Sequence, residues 1–167
     1  VAGPFWTHAD DIARTAERLN GYVDLAAERG IRLGYHNHSH EFHHSFDGVP
    51  GLEAFVALLD PRVVLEIDVF WAAIGRHDPV ALLERLGDRV RLLHAKDGII
   101  GADPHLPGAE GVVLDQRPAG EGDLDLAAIL AAAPQAEYAV VEFDYFDGDI
   151  FRAVADSAAT LRAMGVR

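Results

Sequence analysis

The sequence predicts an α/β fold in which short strands alternate with longer helices, and three observations support it. Apolar runs recur at residues 31–37, 63–68, 90–96 and 138–144. Between them lie stretches of roughly ten or more residues with helical character. Asp, Pro and Gly punctuate the junctions, where helix caps and stops place them.

The elements follow in chain order. Thr7-His8-Ala9-Asp10 has capping-box spacing, with Asp in the place of the usual Glu. Ile12, Ala16, Leu19, Val23 and Ala26 then recur at helical spacing, and Gly30 ends that helix. A strand at 31–37, a helix at 49–59 and a strand at 63–68 come next. Asp78 caps a helix through Leu86, with Pro79 at its first position. After a strand at 90–96, the Gly- and Pro-rich residues 98–120 read as a loop long enough to be a substrate lid. A helix at 125–133, a strand at 138–144 and a helix at 149–164, closed by Gly165, complete the order. Strands separated by helices pair in parallel through right-handed crossovers.

Composition bounds the function. The chain has 167 residues and a mass of 18.1 kDa, which suits one domain over 1–167. No apolar run reaches the ~20 residues of a membrane span, and no secretory signal is visible at the N-terminus. The chain has no cysteine, which excludes disulfides, thiolate zinc sites and cysteine nucleophiles and fits the cytoplasm. A net charge of −13 repels nucleic acid. Lys96 is the sole lysine, whereas histidine occurs nine times, five of them between His36 and His44.

Strand parity separates two faces. One carries Leu33 and Tyr35, Leu65 and Ile67, Leu93 and Ala95, Val141 and Phe143. The other carries His36 and His38, Glu66 and Asp68, His94 and Lys96, Glu142 and Asp144. A doubly wound sheet is apolar on both faces. A (β/α) barrel instead carries its chemistry at the C-terminal ends of its strands, so the parity favours a barrel wall. Carboxylates and imidazoles converging from separate strands are most cheaply satisfied by a bound cation.

Several motifs now point to one family. The segment Gly30-Ile31-Arg32-Leu33-Gly34-Tyr35-His36-Asn37-His38-Ser39-His40-Glu41-Phe42 resembles the Gly-hydrophobic-Tyr-His-Asn-His-x-x-Glu-Phe stretch of sugar phosphate isomerase/epimerase proteins, which are xylose-isomerase-like TIM barrels. Asp68-Val69-Phe70-Trp71, with Gly75 and Asp78-Pro79, is similar to their Asp-x-x-Trp…Gly-x-Asp-Pro. His94-Ala95-Lys96-Asp97, Gly120-Glu121-Gly122-Asp123-Leu124-Asp125 and Val141-Glu142-Phe143-Asp144 follow the family order. The family barrel has eight strands over ~250 residues. Four βα units here would correspond to its C-terminal half, with residues 1–6 as the loop leaving the fourth strand. A missing N-terminal half or a homodimer would then close the wall.

The resemblance implies a divalent metal, Mn²⁺ before Mg²⁺, Co²⁺ or Zn²⁺, held by Asp68, His94 and Glu142. The fourth ligand is Glu41 or His36, ranked level, with His38 third. It implies Glu142 or His36 as the base and Lys96 as a group facing an enolate oxygen or an anionic substrate. Asp97 would orient Lys96, and His38, Trp71, Lys96 and Asp97 would line the substrate. Trp71 reads equally well as packing and as a stacking platform. Glu66 would support a ligand from below. His40, His43 and His44 read as loop residues, with a metal-chelating role as the alternative. His8, His77 and His105 read as surface. The Gly120/Gly122 amides could hold phosphate, but Glu121, Asp123 and Asp125 argue against an anion there.

The implied reaction is isomerisation or epimerisation of a sugar or keto-sugar, through proton loss next to a carbonyl and a metal-stabilised enediolate. A lyase or dehydratase acting on keto-sugars or inositol derivatives is the first alternative. The second is a half-barrel subunit that binds without turnover. An apurinic-site endonuclease stands last, because the acidic charge and scarce lysine oppose it.

Overall fold

The computed structural model describes residues 6–167, so the expected loop at 1–6 lies, apart from Trp6, outside the described residues. Helix α1 (Ala9–Asn20) buries Ile12 and Ala16, and α2 (Val23–Ala27) buries Val23. The expected single helix is therefore broken at Gly21 and Tyr22. The expected capping box is absent as well: the helix starts one residue later, His8 holds the cap position, and Thr7 reaches Asp11 instead of a backbone amide. Strand β1 (Gly34–His36) leads into a 3-10 turn (His40–Phe42) and a small hairpin, β2 (Ser45–Phe46) with β3 (Val49–Pro50). Helix α3 (Gly51–Leu58) thus starts later than expected, because Val49 and Pro50 are spent on that hairpin.

Strand β4 (Val64–Asp68) runs directly into α4 (Val69–Ile74), a helix hidden in the sequence because all its residues are apolar and show no amphipathic period. Asp78 caps α5 (Pro79–Leu86) as expected, accepting from the amides of Val80 and Ala81. Strand β5 (Val90–His94) follows. The 98–120 segment is not a plain loop. It holds an antiparallel pair, β6 (Asp97–Ile99) and β7 (Asp115–Arg117), whose strands lie too far apart in sequence for a turn signal to reveal them. Helix α6 (Leu126–Ala132), strand β8 (Tyr138–Val140) and helix α7 (Ile150–Ala163) end the chain, with Asp125 and Asp149 as side-chain caps.

The main sheet has the parallel order β1-β4-β5-β8. Neighbouring strands are consecutive parallel units, as in a barrel wall. Register pairs His36 with Glu66 and Asp68 with His94, so strand ends of like parity are in line. The apolar face packs into one core with the helices: Tyr35, Leu65, Ile67 and Leu93 meet Leu52 and Phe55 of α3, Leu82 and Leu83 of α5, and Leu126 of α6. A smaller cluster of Phe70, Trp71 and Ile74 sits with Ile100 and Leu114 of the 98–120 region and with Leu124 just after it. Among the described residues, no helix is long and apolar enough to cross a membrane.

Candidate metal centre

The polar face gathers where parity places it. Asp68 ends β4 and is fully buried. Its Oδ1 accepts from the Trp71 amide at 2.9 Å, so it also caps α4. Among the described residues, the partner of its Oδ2 is the Lys96 ammonium at 3.0 Å, and the buried His94 Nδ1, 3.6 Å from that oxygen, has no hydrogen bond. His36 Nε2 stands 3.9 Å from that oxygen. Ligand atoms of His36, Asp68 and His94 all lie within 4.8 Å of one another. Glu66 lies below, 3.5 Å from His36 Nδ1 and 3.3 Å from His94 Nε2, which is the supporting place expected for it.

Lys96 crosses this cluster. Its buried ammonium is 3.0 Å from Asp68 Oδ2 and 2.7 Å from Asp144 Oδ2, and it contacts Glu142 Oε2 directly. Glu142 Oε2 is also 3.6 Å from His94 Nδ1. Three carboxylates (Asp68, Glu142, Asp144) thus surround one ammonium, and a fourth, Glu66, faces the adjoining His94 ring. Burial works against a charged His94, but the Asp68 and Glu142 carboxylates outweigh it and raise the imidazole to about 9. His94, with Lys96, holds Glu142 down to about 2 against burial. Burial lowers His36 despite the nearby Asp68. Carboxylates in excess and imidazole nitrogens without hydrogen bonds form a donor set that fits a divalent cation.

Glu41 lies elsewhere. Its Oε1 accepts from the Tyr35 hydroxyl at 2.7 Å and its Oε2 from the His38 amide at 3.0 Å, and it groups with His38 and His40. The reason is local: the 3-10 turn carries Glu41 back over Tyr35, on the opposite parity from His36. Asp97 also differs from expectation. Its carboxylate accepts from the amides of Gly98, Gly120, Gly122 and Leu124 rather than touching Lys96. The Gly120/Gly122 amides, where the neighbouring acids argue against a phosphate, are engaged by a carboxylate of the chain itself. A side chain on Gly122 would collide with Asp97, and Gly120 has φ +89°. Trp71 is buried, with one face stacked on His105 at 4.7 Å and Lys96 Nζ 5.8 Å from its ring centre.

Three further residues escaped the sequence reading. The Asn37 amide clasps the backbone of Asp68 from both sides, donating to its carbonyl and accepting from its N–H. Gln116 of β7 donates to Asp144 at 2.8 Å, joining the hairpin to the cluster. His105 is exposed, as expected, and its bond to Ser39 Oγ through Nδ1 at 2.8 Å is what the sequence did not show. Nor is His43 a free loop residue: its Nε2 is 2.7 Å from Asp103 Oδ2. His77 packs on Phe42. Asn37 could have been suspected from its place between two site histidines, but Gln116 and His105 depend on the fold of 98–120.

Comparison with known proteins agrees with the fold. The family model described as xylose isomerase-like TIM barrel matches residues 1–164. A sugar phosphate isomerase/epimerase structure from Parabacteroides distasonis superposes with TM-score 0.73 at 31% identity, covering 96% of this chain and 55% of that one. A second such structure from the same organism gives TM-score 0.68 at 24% identity, a likeness of fold. An inosose dehydratase of Geobacillus kaustophilus is 32% identical over 80 residues, 47% of this chain and 25% of the dehydratase. The chain thus spans about half the length of its structural relative.

Proposed function

The chain belongs to the xylose isomerase-like TIM-barrel family, and on that premise we propose that it supplies the C-terminal half of a metal-dependent site acting on sugars or keto-sugars. The reaction is removal of a proton from a carbon beside a carbonyl, followed by its return in an isomerisation or epimerisation. The observation that carries this reading is the convergence of the buried Asp68 carboxylate with the His94 and His36 rings at adjacent strand ends, their ligand atoms within 4.8 Å of one another.

His36, Asp68 and His94 would hold the cation, with Mn²⁺ favoured by the mixed donor set. When bound, such an ion polarises the carbonyl and disperses the negative charge that builds as the neighbouring carbon loses its proton. Glu142, expected as a ligand too, does not fall in the group whose ligand atoms all lie within 4.8 Å of one another and serves here as the base, its Oε2 3.6 Å from His94 Nδ1. Lys96, between Asp68 and Glu142, directs its ammonium at the developing oxyanion. His38 and Trp71, with ring centres 5.6 Å apart, flank the substrate. The remaining wall comes from an N-terminal half or from a second copy, which native mass spectrometry of the intact protein would distinguish.

The test is proton exchange. A panel of ketoses and keto-sugars in D₂O with Mn²⁺ should show deuterium entering beside the carbonyl. Asp68→Asn and Glu142→Gln should each slow this by at least ~100-fold. Bound metal, read by mass spectrometry, should fall only in Asp68→Asn. Unchanged exchange in Asp68→Asn refutes the reading.

The match to an inosose dehydratase favours one second reading, a lyase using the same proton removal followed by loss of a β-hydroxyl. A product lighter by one water would select it.

A further inference from the structure

We propose that a second cation site, of the imidazole-rich kind that takes Zn²⁺, lies beside the first and is built from His38, His40 and Glu41, with His105 as its fourth group. It shares no residue with the His36, Asp68 and His94 set, so it goes beyond the function proposed above. The two sites are neighbours, since the rings of His36 and His38 are 5.1 Å apart.

Geometry supports it first. Ligand atoms of His38, His40 and Glu41 lie within 4.8 Å of one another. His40 Nε2 and Glu41 Oε2 are 3.3 Å apart. Tetrahedral zinc with bonds of about 2.0–2.1 Å needs a ligand–ligand edge of about 3.3 Å. The rings of His38 and His40 lie parallel, 6° apart in plane and 5.6 Å between centres, on one side of the carboxylate. His105 stands beside this trio rather than within it, its ring centre 5.4 Å from that of His40 and 6.1 Å from that of His38, from where its ring would turn in as the fourth group.

The surroundings are those of ligands held in place. The Tyr35 hydroxyl and the His38 amide both donate to the Glu41 carboxylate and fix its orientation. His105 Nδ1 donates to Ser39 Oγ, which donates in turn to Asp103 Oδ1. That relay sets the tautomer and leaves His105 Nε2 as the ring's lone-pair nitrogen. Glu41 is 1% exposed, and its two hydrogen-bond donors are neutral, so a shared cation would supply the charge that they do not. Three imidazoles and one carboxylate select Zn²⁺ or Co²⁺ over the oxygen-seeking Mg²⁺. His105 belongs to the 98–120 segment, so an ion here would pin that segment over the strand ends.

The experiment is metal counting on the intact protein. Chelator-stripped protein is loaded with Zn²⁺, passed through a desalting column and analysed for metal per chain. A parallel Co²⁺ loading reports coordination by its visible spectrum. Wild type should hold two ions, while His40→Gln and Asp68→Asn should each hold one. The intense tetrahedral Co²⁺ bands should disappear in His40→Gln and persist in Asp68→Asn. Circular dichroism confirms folding, and His38→Gln serves if His40→Gln does not fold. One ion that is lost in His40→Gln but kept in Asp68→Asn supports this site and rejects the metal of the proposed function. One ion that is lost in Asp68→Asn but kept in His40→Gln overturns this site alone. No bound ion overturns both.

Discussion

The two faces of the parallel sheet are built from alternate residues of the same strands yet follow opposite physical rules. On one face Leu65, Ile67 and Leu93 are at most 1% exposed and meet only apolar neighbours. On the other, Glu66, His94 and Glu142 keep 26%, 14% and 33% of their side chains exposed and crowd like charges together. The first face stabilises the fold through burial. The second crowds ionisable groups whose mutual repulsion works against stability, the pattern that functional sites carry. A single strand thus carries both packing and chemistry, separated by one residue of register.

Substitutions on each face should therefore fail differently. Leu65→Ala should have the largest effect, about 3 kcal/mol of stability. A thermal or urea melt reads it, and metal stoichiometry of the folded fraction should not change. Asp97→Ala comes next, because it strands the amides of Gly98, Gly120, Gly122 and Leu124. It should cost about 2 kcal/mol and expose residues 98–124 to hydrogen exchange. Unchanged protection there would remove Asp97 from its scaffolding role.

Glu66→Gln should invert the pattern. Metal affinity should fall by ~10- to 100-fold, while the metal-free protein melts no lower, since one of four crowded carboxylates is neutralised. A lower melting temperature would place Glu66 with the stabilising face instead.

The smallest effect should come from Glu137, at the start of β8 and far from both clusters. Arg32 donates to it at 2.8 and 2.6 Å, and Arg91 also bonds it, holding its carboxyl at about 2. A depressed carboxyl stabilises the folded state above its unfolded value and loses that contribution as pH falls towards the folded value. The difference in melting temperature between wild type and Glu137→Gln should therefore be small at neutral pH and close as pH drops from about 4.5 to about 2. Added salt should shrink it further.

Much of this was legible without coordinates. The parity of β4 and β5 assigned Asp68 and His94 to one face and Leu65, Ile67 and Leu93 to the other, because side-chain alternation is a local property of extended chain. The cap at Asp78 was equally local. Helix α4 was not, since an all-apolar helix shows no period.

Local periodicity could not assign Glu41 or Asp97, the two carboxylates whose partners differ from those expected. A 3-10 turn carried Glu41 to Tyr35, and a returning loop gave Asp97 to the amides of Gly120 and Gly122. His105 shows the same limit. Its neighbours Ser39 and Trp71 are distant in sequence, and Ser39 meets Asp103 across 64 residues of separation. Strand identity, helix caps and the chemistry of each face follow from residue spacing, which short-range sterics enforce. Which histidines and carboxylates share a cluster follows from how the 98–120 segment folds back, and that depends on long-range packing rather than on spacing.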